Sequence, residues 1–131
     1  HYITQLRNRI NLLKEEACVW EIPLHEHKRG VIVFLSREKA CDEDPLIGLY
    51  HYLVSAGIEE SVLAVIYPDS RGSGYGLKRY NDHPSLDFTQ VDSEPDVHFV
   101  HKSGFVAKTT AQDPTRLLAI IQSAIVTTGS D

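Results

Sequence analysis

The strongest constraint in this chain is a pair of unbroken apolar runs, VIVFL at 31 to 35 and SVLAVIYPD at 61 to 69. A strand with one wet face alternates apolar and polar side chains, whereas a β-branched run without alternation reads as a strand covered on both faces. Two such strands call for a layered fold with helices packed on a sheet. The helices carry their own start signals. Asp44-Pro45 and Asp113-Pro114 each join an N-cap carboxylate to a proline suited to the first helical position. After the first, Leu46, Leu49, Tyr50, Leu53 and Val54 line one face as far as Gly57, which is placed to end the helix. After the second, Leu117, Leu118, Ile121, Ala124 and Ile125 do the same.

The remaining segments fill in the order. Ile3, Leu6, Ile10, Leu13 and Ala17 recur at steps of three and four, a narrow helical stripe suited to a partner helix or a linker. CVWEIPL alternates weakly, YGLKRY reads as an antiparallel neighbour of the second buried strand, and VHFV leads into residues 101 to 110. The expected fold is α+β, close to α/β, with a mixed sheet of about five strands flanked by helices. Residues 1–17 form a helical linker in this reading, 18–127 one α/β domain, and 128–131 a frayed tail.

A length of 131 residues suits one domain with one sizeable core. No apolar segment reaches the roughly 20 residues needed to cross a bilayer, and the N-terminal segment lacks the apolar core of a signal peptide, so a cytoplasmic setting without membrane contact is expected. Cys18 and Cys41 read as two free thiols. The chain begins at His1 and contains no methionine, which fits a piece of a longer protein. A net charge of −5 argues against a nonspecific grip on duplex DNA but leaves room for a local phosphate pocket.

Short chemical signatures are sparse. RGSGYG has glycines at 72, 74 and 76, a GxGxG spacing followed by a strand rather than a helix, so it reads as a hairpin turn from which Arg71 can still reach a ligand. His25, His27, His83, His98 and His101 lack the ligand spacing of a zinc site, and no metal is assigned to this chain. No nucleophile elbow, Walker pattern or HExxH occurs, and no catalytic residue is assigned.

One stretch stands apart. HKSGFVAKTT, at 101 to 110, holds His101, Lys102, Ser103, Lys108 and Thr109 with no acid among them. Gly104 interrupts what would otherwise be one long strand and would permit a bulge or a close backbone approach to a ligand. The donors are of the kind a phosphate accepts. A solvated edge strand with a harmless bulge fits the same residues equally well.

The order of a helical lead, VIVFL, VLAVIYPDSRG, GYGLKRYNDHPSLDF and VHFVHKSGFVAKTT before a terminal helix resembles the C-terminal, DHH-associated domain of DHH-type phosphoesterases. The likeness covers most of the chain, and FVHKSGFVAKT is its most specific part. Family loops carry consecutive glycines before the histidine, whereas here a single glycine follows it. The resemblance implies a substrate-binding domain of a metal-dependent phosphohydrolase. His101 and Gly104 match the substrate loop, Lys102, Ser103 and Lys108 are its polar neighbours, and Arg71 or Arg79 assist. It further implies that manganese is held by a separate N-terminal DHH domain of the same protein, since Asp82-His83-Pro84 supplies only two letters of that triad. The implied partner is a phosphorylated small molecule or short nucleic acid. Two other readings stand beside it: a regulatory or oligomerisation module, forming a homodimer through the Ile3 to Leu13 stripe, and a small stand-alone hydrolase.

Overall fold

The two apolar runs are neighbouring inner strands of one sheet. The computed structural model describes residues 2–23, 29–35, 48–69, 74–80 and 86–125. In chain order the elements are α1 (Tyr2–Glu16), β1 (Cys18–Pro23), β2 (Arg29–Phe34), α2 (Leu49–Ser55), β3 (Val62–Pro68), β4 (Tyr75–Arg79), β5 (Val97–Val100), β6 (Val106–Thr109) and α3 (Pro114–Ser123). Short 3-10 turns occupy Glu59–Ser61 and Phe88–Val91. The sheet is open and mixed, with six strands in the order β1-β2-β3-β4-β6-β5. β2 and β3 are parallel, and α2 lies on the crossover that parallel neighbours require. Every other pairing is antiparallel.

The β2 run Val31–Leu35 and the β3 run Val62–Ile66 are buried throughout because each face of the sheet has its own helical cover. On one face Leu117, Ile120 and Ile121 of α3, with Phe88 and Val91, pack on Ile32, Ile66 and Leu77. On the other, Leu13 of α1 and Leu49, Tyr52 and Leu53 of α2 pack on Val31, Val33, Val62 and Val65. Each such aliphatic side chain, fully buried, stabilises the fold by about 2 kcal/mol.

The sixth strand arises where a single broken strand was expected. Residues 101 to 105 reverse the chain and return it as β6, so β5 and β6 form an edge hairpin.

Helix ends follow the local chemistry. In α3 the Asp113 carboxylate accepts from the Thr115 N–H at 3.1 Å, with Pro114 in the first turn. α2 ends in a Schellman arrangement: Gly57, at φ 75°, donates to the Val54 carbonyl, and Ile58 donates to the Leu53 carbonyl. The face of α2 differs from the expected one. Leu49, Tyr52 and Leu53 are buried, while Tyr50 and Val54 are more than half exposed. Tyr52 takes the inward place because it lies three residues from Leu49 and shares its face. The helix read as a linker also enters the core, with Leu13 buried and Ile10 and Ala17 packed around it, whereas Ile3 at its far end is 59% exposed.

Among the described residues no helix is long and apolar enough to cross a membrane. Cys18 is a free, exposed thiol. Asp44-Pro45, Leu46, Cys41, His25, His27, Arg71, His83 and the tail lie outside the described residues.

Candidate functional site

Sequence order places His101, Lys102, Ser103 and Gly104 at the apex of the β5–β6 hairpin, and backbone bonds fix them there. The His101 N–H donates to the Val106 carbonyl at 2.9 Å, and the Gly104 N–H donates to the His101 carbonyl at 2.8 Å. Together these close a tight turn. Gly104 has φ 78°, a conformation that side chains with a Cβ enter at a cost of about 1–2 kcal/mol.

The turn is also held from outside. The Phe88 N–H donates to the Gly104 carbonyl at 2.9 Å, and the Arg79 N–H to the Phe105 carbonyl at 2.8 Å. Behind Phe88, the Asp87 N–H donates to the Ala124 carbonyl, and the Gln90 side-chain amide donates to the same oxygen. Thus α3 positions the 3-10 turn, and the 3-10 turn positions the hairpin apex.

His101 is locked as well. Its Nδ1 accepts from the Ser103 N–H at 3.1 Å, and its ring lies 4.5 Å from that of Phe105, tilted by 52°. An accepting Nδ1 means that the neutral ring carries its proton on Nε2 and offers Nε2–H as a donor. Lys102 and Ser103 are exposed, and among the described residues their side chains enter no hydrogen bond or ion pair. Three consecutive residues therefore present an imidazole N–H, an ammonium and a hydroxyl at one apex.

The rest of the predicted set is not at this apex. Lys108 sits on β6 opposite Gly76 and Phe99, with its Nζ 3.8 Å from an Asp69 carboxylate oxygen. Four residues of extended chain separate it from Gly104, about 13 Å. Thr109 is buried; its hydroxyl donates to the Asp96 carbonyl at 2.6 Å and accepts from the Ala111 N–H at 3.0 Å. The Arg79 guanidinium donates to the Leu86 carbonyl at 3.1 Å, and its main chain supports the turn from below. Arg71 falls outside the described residues.

Two acids come against a segment whose own sequence has none. Asp69 pairs with Lys108. Asp87 caps the 3-10 turn, accepting from the Thr89 N–H and hydroxyl at 3.0 and 2.7 Å. Its carboxylate also fills the space that a Cβ on Gly104 would occupy. The close approach made possible by Gly104 is thus to the Asp87 side chain. The signal for it was present as an Asx-type pattern, Asp87 with Thr89 two residues on, but nothing local connects that pattern to residue 104.

A separate anchor ties α3 to the loop before β5. Arg116 grips Asp96 through Nε and Nη2 at 2.7 and 2.6 Å and reaches Glu94 at 3.1 Å. These bonds hold the Asp96 carboxyl below the usual range and push Arg116 up.

A shallow groove of about 410 Å³ lies away from the hairpin, lined by Tyr50, Val54, Gly57, Glu59, Glu60 and Ser61. Among the described residues no group of three or more His, Cys, Asp or Glu side chains is arranged to hold a metal ion. Compared with family models, curated proteins and solved structures, the chain matches none.

Proposed function

We propose that this chain is the substrate-binding domain of a DHH-type, metal-dependent phosphohydrolase, and that His101, Lys102 and Ser103 grip a phosphate group of its substrate. In this reading a separate DHH domain supplies the manganese chemistry, while the residues here bind and orient the phosphorylated ligand. His101 gives Nε2–H to one oxygen, Ser103 its hydroxyl to another, and Lys102 the compensating charge. Gly104 keeps the three together. Lys108 and Arg79, occupied elsewhere, are left out of the binding set.

The observation that supports this reading is the tautomer-locked His101 ring beside two exposed donors on a turn held at both ends. A fixed donor set loses little entropy on binding an anion, which is the advantage of a preorganised site. The Asp87 carboxylate, held against Gly104 by the uncharged Thr89 donors, keeps its negative charge, and the Lys102 ammonium is the group that offsets it at this apex.

Titration of the isotope-labelled chain with a 5′-phosphorylated dinucleotide, and separately with inorganic triphosphate, tests the assignment. Amide shifts concentrated at residues 101–104 are expected with at least one of the two. Saturable shifts that spare those residues, or none at millimolar ligand, would contradict it.

A further inference from the structure

Helices α1 and α2 cover only part of their face of the sheet. They pack on Val31, Val33, Val62 and Val65 of β2 and β3, and the Tyr67 ring, lying over Gly76, carries that cover as far as β4. Directly paired residues of neighbouring strands point to the same side. The registers therefore set two rows on this face: Val65, Lys78 and Val106, and Tyr67, Gly76, Lys108 and Phe99. The bond from the His101 N–H to the Val106 carbonyl continues the first row to His101. Toward β5 the rows open to solvent. Lys78 is exposed, Val106 and Lys108 are half-buried, and Phe99 is 45% exposed. Phe99 lies two residues from His101 on the same side of one strand, about 7 Å along it. Neither row contains an acid, and Asp69 comes against Lys108 at 3.8 Å, which leaves Lys78 as the cation of this surface.

We infer that this open surface takes a nucleobase of the ligand, stacked on Phe99, while His101, Lys102 and Ser103 hold the adjoining phosphate and Lys78 faces the next one. The inference rests on the phosphate-binding reading and narrows its ligand to a nucleotide or short single strand. One ring beside Val106 is too small a patch for a stable protein partner, which needs about 1,000 Å² of contact, but it is the size of a base. Every base has a π-face, so the surface selects for the presence of a base and tolerates its identity. Lys108, held by Asp69, borders the base without a bond to it.

Calorimetry with a 5′-phosphorylated dinucleotide, the same dinucleotide lacking its bases, and inorganic triphosphate tests the inference on three chains. Wild type should bind the base-bearing ligand about tenfold more tightly than the base-free one. Phe99→Ala should abolish that preference and Phe99→Trp should keep it, with triphosphate affinity unchanged in both. Lys78→Ala should weaken the two dinucleotides equally, by a few-fold, and leave the base preference intact. Phe99 and Lys78 are exposed, and circular dichroism checks that each variant is folded. Wild type that binds at residues 101–104 without preferring the base-bearing ligand, or a preference that survives Phe99→Ala, overturns this inference and leaves the phosphate-binding reading standing. No binding of any of the three ligands overturns both.

Discussion

The two halves of residues 101 to 110 contain similar donors and use them differently. In the first half His101, Lys102 and Ser103 cap a hairpin, where the Lys102 and Ser103 side chains face solvent and, apart from the His101 ring with its Nδ1 acceptor, the bonds are made by the backbone. In the second half β6 pairs on both sides with β4 and β5, and its donors are drawn into the fold: Lys108 to Asp69, and Thr109 to the Asp96 carbonyl. Sequence proximity therefore did not make one site. Strand pairing divided the segment into an available half and a structural half, with Gly104 close to the boundary.

That division can be attacked at several points. The largest effect is expected at Gly104→Ala, which combines a left-handed backbone with a Cβ aimed at the Asp87 carboxylate, and should lose about 3 kcal/mol in urea denaturation. Adding Asp87→Ala to that variant should cost less than the two single changes summed, because the clash is removed with the carboxylate. Thr109→Val comes next. It removes the hydroxyl that donates to the Asp96 carbonyl, which keeps its bond from the Thr110 N–H, and leaves the half-buried Ala111 N–H without this acceptor; it should cost about 1.5 kcal/mol, with no change in anion affinity.

Arg116→Met probes the support behind the hairpin, and should cost about 1 kcal/mol at neutral pH after discounting for solvent screening. Its pH signature is sharper. Asp96 is depressed in the folded state, so its contribution is fully present above the unfolded carboxyl value of about 3.9 and is lost as pH falls through the lower folded value. Wild type and variant should therefore converge in stability on acidification below pH of about 4. A difference that persists at low pH would show that Arg116 acts through packing instead. Smallest of all, Lys102→Ala should leave stability within about 0.5 kcal/mol, as an exposed side chain without a partner in the described structure should.

Much of this fold was legible in the sequence. VIVFL and VLAVIY lacked alternation and became the doubly covered inner strands, and Asp113-Pro114 capped the last helix as expected. The failures share a cause. Tyr50 and Tyr52 are both compatible with an apolar face of a short helix, and the choice between them was made by Val33 and Val65 in the sheet below, which no local pattern encodes. Likewise Gly104 was read as permitting a bulge or a close approach to a ligand, whereas the group found against it is the Asp87 side chain, seventeen residues away in sequence and placed by the bond from the Asp87 N–H to the Ala124 carbonyl of α3. The donor set at 101 to 103 was visible as residue types; the engagement of Lys108 by Asp69 was not, because it depends on how β3, β4 and β6 pair.

The comparison reduces to one paired measurement: the affinity of His101→Ala and of Lys108→Ala for a 5′-phosphorylated dinucleotide, each against wild type by calorimetry. Loss of one charge-assisted hydrogen bond predicts about tenfold weaker binding for His101→Ala and a change of less than about twofold for Lys108→Ala. Equal losses, or a larger loss at Lys108, would mean that β6 rather than the hairpin apex faces the ligand.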